Sequence, residues 1–286
     1  MAKELEGCNG LLLGGPALKV FETSLAEHGE FNFRNEIDLI DLVITGTSST
    51  SRLEIEAIQE ARKFGIRTAT FLDHWSNYRP RFEREGVIQL PDEIWVGDTY
   101  SLELAREEFP ELQIFLYPNP YIKEVLNEIA SELEISLTSK SLHSSNPIPN
   151  KRILYLTEPA GKLARNLSNN TDLNGYSEFD AIEYFLARLA KEYPNQQEIR
   201  IRVHPSEDQG KYSWLVSKHP YLKFEFSSSS LAKDIASADL VIGTHSMALA
   251  IAALAGKIAL SAVPPGGIPC ILPHKGIFKI EEIWAS

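Results

Sequence analysis

Polar residues able to bind anions or move protons stand directly behind short apolar runs in this sequence. Ile201-Arg-Val-His-Pro-Ser-Glu207 ends an apolar run in His204 and Pro205. Ala238-Asp-Leu-Val-Ile-Gly-Thr-His-Ser-Met-Ala248 ends another in Gly243-Thr244-His245-Ser246. Thr68-Ala-Thr-Phe-Leu72 ends in Asp73-His74-Trp75, and Arg152-Ile-Leu-Tyr-Leu156 in Thr157-Glu158-Pro159. An imidazole such as His204 can stabilise charge growing on a leaving phosphate in a dry cleft. Its plain alternative is a hydrogen bond to loop backbone. Pro205 stiffens the loop through its fixed φ in either case. Thr244 and Ser246 lead into an apolar helix whose first N–H groups favour anions. Such residues also cap helices with no ligand present, so one is expected to cap and the other to touch an anion. His245 between them faces either a ligand or solvent. Glu158 either holds a ligand hydroxyl or caps its loop.

Asp73 and His74 form a carboxylate–imidazole pair suited to taking a proton from a hydroxyl. A helix cap or an ion pair with Arg79 or Arg81 would explain Asp73 equally well. Trp75 and Tyr78 stack on a ligand or pack in a core. Gly14 and Gly15 permit close backbone approach to an anion or sugar. They form no GxGxxG fingerprint, and the chain has no Walker lysine motif. Asp98-Thr99 reads as a helix cap.

These positions are set by alternating strand-like and helix-like segments. In the first half, Leu11-Leu-Leu13 runs into Gly14-Gly15-Pro16-Ala17, and a helical stretch follows. Strands are expected at residues 41–45, 68–72, 93–96 and 113–117. Helices are expected at 52–64, with Leu53, Ala57, Ile58 and Ala61 on one face, and from 99 to 109. Residues 136–150 are rich in Ser, with Asn and Pro, and read as a linker. Strands then recur at 152–156, 198–203, 222–226, 240–242 and 258–262. Helices are expected at 178–193, 211–218, 231–236 and 247–255. Alternation of this kind means parallel βαβ units, and ligands of such sheets bind beyond the carboxyl ends of strands. The expected architecture is α/β, with two Rossmann-like parallel-sheet domains facing a cleft. Residues 1–135 form the first domain, 136–150 the linker and 151–286 the second.

Composition narrows the partners. The chain has 286 residues, of which 43% are apolar and 23% charged, as in ordinary globular proteins. Its net charge of −11 opposes non-specific binding to nucleic acid or to anionic lipid surfaces. Cys8 and Cys270 are the only cysteines, so neither a disulfide framework nor a Cys/His zinc site is expected. No apolar run has the length of a membrane span, and no signal peptide is evident at the start. The expectation is a soluble, cytoplasmic protein with no metal and no cofactor.

The second half resembles that of glycosyltransferases with the two-Rossmann (GT-B) architecture. It is most similar to the branch with an "HP" motif and a later Ser/Thr motif, found in bacterial sialyltransferases, capsule transferases and CDP-glycerol transferases. Here the matching residues are His204-Pro205 and Thr244-His245-Ser246. In the first half, Gly14-Gly15-Pro16-Ala17 resembles the first glycine-rich loop. Asp73-His-Trp-Ser-Asn-Tyr78 resembles the polar strand end facing the cleft, and Asn119-Pro120 the residues before the interdomain crossover. No acidic Asp-Asp-Gly or Glu-Asp-Gly motif occurs there, which argues against a sialic acid donor.

The resemblance implies a metal-independent enzyme taking a nucleotide sugar and a glycan or lipid-linked acceptor in surface polysaccharide assembly. His204 would contact the donor's phosphate or sugar, with Asp73 and His74 as the acceptor's base. Gly14, Gly15, Glu158, Pro205, Thr244, His245 and Ser246 would bind the donor. Two alternatives remain: a nucleotide-sugar 2-epimerase or hydrolase of the same fold, and a non-catalytic nucleotide-sugar-binding subunit.

Overall fold

The computed structural model describes residues 40–48, 51–140, 151–160, 175–196 and 198–284. Gly14 and Gly15, with the first expected strand and helix, lie outside them. The chain forms two compact units that divide between Tyr121 and Ile122.

In the first unit, β1 (Leu42–Thr45), β2 (Arg67–Leu72), β5 (Glu93–Val96) and β6 (Gln113–Leu116) form a parallel sheet in that order. Helix α1 (Leu53–Lys63) joins β1 to β2. It buries Ile55, Ala57, Ile58 and Ala61, while Leu53, expected on that face, is 42% exposed. Leu53 sits in the first turn, before the stripe meets the sheet, and Ile55 fills the inner position instead. The chain leaves α1 through Gly65, whose φ of +71° only glycine adopts cheaply. After β2 come α2 (Tyr78–Arg81) and a small hairpin, β3 (Glu83–Arg84) with β4 (Val87–Ile88). Its turn residues Glu85 and Gly86 both have positive φ, as a two-residue hairpin turn requires. Helix α3 (Thr99–Glu108) crosses from β5 to β6. Ile58, Leu72, Tyr78, Phe82, Ile94, Val96, Ala105 and Phe109 form this unit's core.

Helix α4 (Pro120–Lys140) follows β6. It occupies the first five residues of the segment expected as a linker. Ser and Thr cost only tenths of a kcal/mol in a helix, and extending an existing helix is far cheaper than starting one. Residues 141–150 lie outside the described chain.

The second unit holds β7 (Ile153–Leu156), β8 (Glu198–Arg202), β9 (Lys223–Phe226), β10 (Leu240–Gly243), β11 (Ile258–Ser261) and β12 (Ile277–Lys279). Every pairing is parallel, and the spatial order is β9-β8-β7-β10-β11-β12. This is the doubly wound order, with its reversal between β7 and β10. The apolar runs behind His204, Glu158 and Thr244 are thus adjacent central strands. Both units are Rossmann-like parallel α/β sheets.

Helix α5 (Glu178–Glu192) starts at a capping box: Ser177 Oγ accepts from the Asp180 N–H, and the Asp180 carboxylate accepts from the Ser177 N–H. Its inner face places Ile182, Phe185, Leu186 and Leu189 in the main core. Helix α6 (Trp214–Lys218) is shorter than expected, because residues 211–213 form turns. Helices α7 (Leu231–Ser237) and α8 (Met247–Leu254) flank β10. β12 and the closing helix α9 (Ile280–Ile283) were not anticipated.

Candidate functional site at the central strand ends of the second unit

In doubly wound sheets ligands bind where the strand order reverses, which here is at the loops behind β7 and β10. Two side chains behind β7 organise this edge. Glu158 reaches the β10 loop, where its Oε2 accepts hydrogen bonds from the Thr244 hydroxyl and from the His245 N–H at 2.9 Å. Thr244 is itself 3% exposed, and its carbonyl accepts from Ser261 Oγ at 3.1 Å. One carboxylate thereby sets the spacing of the two loops.

Thr157 works toward β8. Its hydroxyl accepts from the His204 N–H at 2.8 Å and donates to Glu207 Oε2 at 2.5 Å. Glu207, 1% exposed in its side chain, also accepts from Lys211 Nζ at 2.7 Å and Tyr212 Oη at 2.9 Å. Burial opposes the charge on Lys211, but Glu178 and Glu207 outweigh it and raise its pKa. The loop carrying His204 and Pro205 is thus anchored from beneath.

The His204 ring is fixed as well. Its Nδ1 lies 3.1 Å from the Ser206 N–H and 2.9 Å from Ser206 Oγ. A backbone N–H can only donate, so Nδ1 accepts and the neutral ring carries its proton on Nε2. Nδ1 thus serves the loop, as the plain alternative expects, and Nε2–H remains a donor. Pro205 is exposed at the tip.

Of the two hydroxyls before α8, Ser246 is the cap, accepting from the Leu249 N–H at 3.3 Å. The Thr244 proton is committed to Glu158. Any anion at this helix start would therefore meet backbone N–H groups before side-chain hydroxyls. The His245 ring is partly buried, with its Nδ1 enclosed and unbonded, and burial lowers its pKa. It stacks on Tyr176, at 6.4 Å between centroids and 21° between planes. Tyr176 belongs to no expected motif. The signal that marks it is Ser177-Glu-Phe-Asp180, a capping-box pattern that puts an aromatic residue just outside a helix start.

In the first unit, Asp73 and His74 follow β2 as expected. Asp73 is exposed, and it pairs with neither neighbouring arginine. Arg79 pairs with Glu108 and Glu111, and Arg81 donates to the Ser76 carbonyl and Thr47 Oγ1. His74 Nδ1 lies 3.2 Å from Ser76 Oγ. Trp75 and Tyr78 are core residues, 3% and 5% exposed, so neither offers a stacking face. Trp75 Nε1 donates to Asp98 Oδ2 at 2.6 Å, while Asp98 Oδ1 caps α3 through the Ser101 N–H at 2.7 Å. Among the described residues no helix is long and apolar enough to cross a membrane.

The fold and this strand-end network define a class: an α/β protein with its best-organised polar site at a doubly wound switch point. No protein-family model and no curated protein sequence matches the chain. Among solved structures it is similar to the UDP-GlcNAc 2-epimerase from Methanocaldococcus jannaschii, at 14% identity over 77% of this chain, with a TM-score of 0.43. The chain spans 60% of that enzyme's length. It is also similar to the wall teichoic acid polymerase TagF, at 12% identity over 77% of this chain and 69% of that one, with a TM-score of 0.34. A third likeness, to a dipicolinate synthase chain from Bacillus halodurans, has 13% identity over 85% and 91% of the two chains and a TM-score of 0.23. Scores of this size assign no activity; the fold rests on the strand order itself.

Proposed function

We propose that the chain is a glycosyltransferase of the two-Rossmann (GT-B) kind. It would move a sugar from a nucleotide-sugar donor to a glycan or lipid-linked acceptor, with the second unit holding the donor. The observation that carries this reading is the Glu158 bridge to Thr244 and His245 across the switch point, with the Nε2–H of His204 on the adjacent strand end. In this reading His204 and the backbone N–H groups at the start of α8 receive the donor's phosphates. Such donors, fixed before the reaction, stabilise the charge that grows on the leaving nucleotide. Asp73, assisted by His74, takes the proton of the acceptor hydroxyl. No step requires a cofactor.

A non-catalytic nucleotide-sugar-binding subunit is the second reading. It is favoured by one observation, the exposure of Asp73 without a partner that would orient it.

A thermal-shift series against UDP, CMP, CDP, GDP and their common sugars tests both, since a ligand of the folded state raises the melting temperature by mass action. The transferase reading expects a shift with one nucleotide class, its loss in His204→Ala, and release of that nucleotide when acceptor is added. A shift without any release of nucleotide would leave the binding subunit. No shift with any of these compounds would sink both readings.

A further inference from the structure

Tyr176 carries a cost that its packing does not explain. The residue is 6% exposed, and its hydroxyl is buried without a hydrogen-bond partner among the described residues. The Thr244 hydroxyl lies nearby but gives its own proton to Glu158 and makes no hydrogen bond of normal geometry with the phenol. The ring is held from several sides. It lies at the position before the cap of α5 and packs on Ala181 and Ala160, a hydrophobic staple. The Gly266–Gly267 turn closes over it: a Cβ on Gly267 would stand 2.6 Å from Tyr176 Cδ1. A Cβ on Gly175, at φ +70°, would stand 2.7 Å from the Gly266 carbonyl oxygen. Phenylalanine would make every one of these contacts without the stranded hydroxyl.

A second stranded atom stands beside the first. His245 Nδ1 is buried and unbonded, on the ring that stacks against Tyr176. Two adjacent groups of this kind, with no partner among the described residues, suit a place where a ligand supplies the missing bonds. The chemistry of that partner is limited by Glu158, whose charge bears on both rings. Its Oε2 is held by Thr244 and the His245 N–H, so the carboxylate cannot turn away. A phosphate packed directly on it would be repelled unless N–H groups such as those of α8 offset the charge, whereas a group bringing its own hydroxyl or amide donors would be welcomed. Burial raises the phenol's pKa, so the hydroxyl keeps its proton to donate.

We infer that Tyr176 Oη and His245 Nδ1 form a subsite for a neutral, hydroxyl- or amide-bearing part of the ligand, and that Tyr176 is a specificity residue. The inference rests on the donor reading above and deepens it. Phosphates lie toward His204 and α8, and the uncharged part lies against Tyr176. That part is either the transferred sugar or the nucleoside.

The test is Tyr176→Phe in the full chain, melted without ligand and titrated with the nucleotide sugar that shifts the wild type, its parent nucleotide, and inorganic pyrophosphate. The expected result is a melting temperature equal to or above wild type without ligand, together with about tenfold weaker binding of the nucleotide sugar. Pyrophosphate binding should not change. Weakening with the nucleotide sugar alone assigns the subsite to the sugar, and equal weakening with the parent nucleotide assigns it to the nucleoside. Wild-type affinity of the variant for both overturns the inference and leaves the donor reading intact, as does a marked fall in its unliganded melting temperature, which would make the hydroxyl structural. Failure of the wild type itself to bind any of the compounds overturns the donor reading and the inference with it.

Discussion

The strand ends of the two units treat polar residues differently. Behind β2, the polar side chains at the sheet edge are either exposed, as Asp73 is, or drawn into packing, as Trp75 is by Asp98. Behind β7, β8 and β10, Thr157, Thr244 and Ser246 are buried, and Thr157, Glu158, Glu207 and Thr244 tie the loops to one another across strands. Topology accounts for part of this. The described sheet of the first unit runs β1-β2-β5-β6 in one direction, whereas the second reverses its order between β7 and β10. The lesson is that one motif grammar, an apolar run ending in polar residues, yields an ordered site only where the strand order reverses and a carboxylate can span the loops.

The contrast breaks first, and most heavily, at Glu207. Glu207→Ala strands the protons of the Thr157 and Tyr212 hydroxyls and leaves Lys211 with Glu178 alone, and should cost about 3–5 kcal/mol in urea unfolding of the second unit. A cost below about 1 kcal/mol would mean that the strand-end network is decoration. Asp73→Ala should do the opposite: stability within about 0.5 kcal/mol of wild type. If the base assignment holds, turnover would fall about 10²–10⁴-fold. Unchanged turnover would remove Asp73 from the chemistry.

Smaller effects sharpen the comparison. Ser246→Ala should cost about 1 kcal/mol through the lost cap of α8. A much larger loss of ligand binding in that variant would show that the hydroxyl, and not only the backbone, meets the ligand.

The gentlest test is pH. Burial holds the His245 pKa below its usual value of 6.5. Below pH 6.5 the unfolded chain therefore takes up a proton that the folded chain refuses, and stability falls as pH drops toward the lowered folded value. His245→Asn should flatten that part of the slope when urea midpoints are compared between about pH 7.5 and 5.5. An unchanged slope would place the ring in water.

Much of this was legible in advance, for reasons that particular residues show. Leu240-Val-Ile-Gly243 reads as a buried strand because parallel strands covered on both faces are apolar throughout. His204 and Thr244 were found because the polarity change at a strand end is abrupt. The three-residue strand β12 had no such run to announce it; it forms because β11 offers a parallel edge. Helix α4 was hidden where serines and a threonine suggested a linker. The capping box of α5 places Tyr176 just before a helix start, but the missing hydrogen bond of its hydroxyl leaves no mark in a sequence. Trp75 and Tyr78 show the reverse: aromatic residues beside Asp73 looked available to a ligand and are spent on the core.

Asp98 joins two events that would otherwise be independent in time. One carboxylate oxygen holds the indole of Trp75 in the loop after β2, and the other holds the first turn of α3. Neither can open without straining the other. The Trp75 indole proton and the Ser101 amide proton should therefore exchange with solvent at matched rates, as a single breathing motion of the first unit. Asp98→Asn would let each keep its own clock.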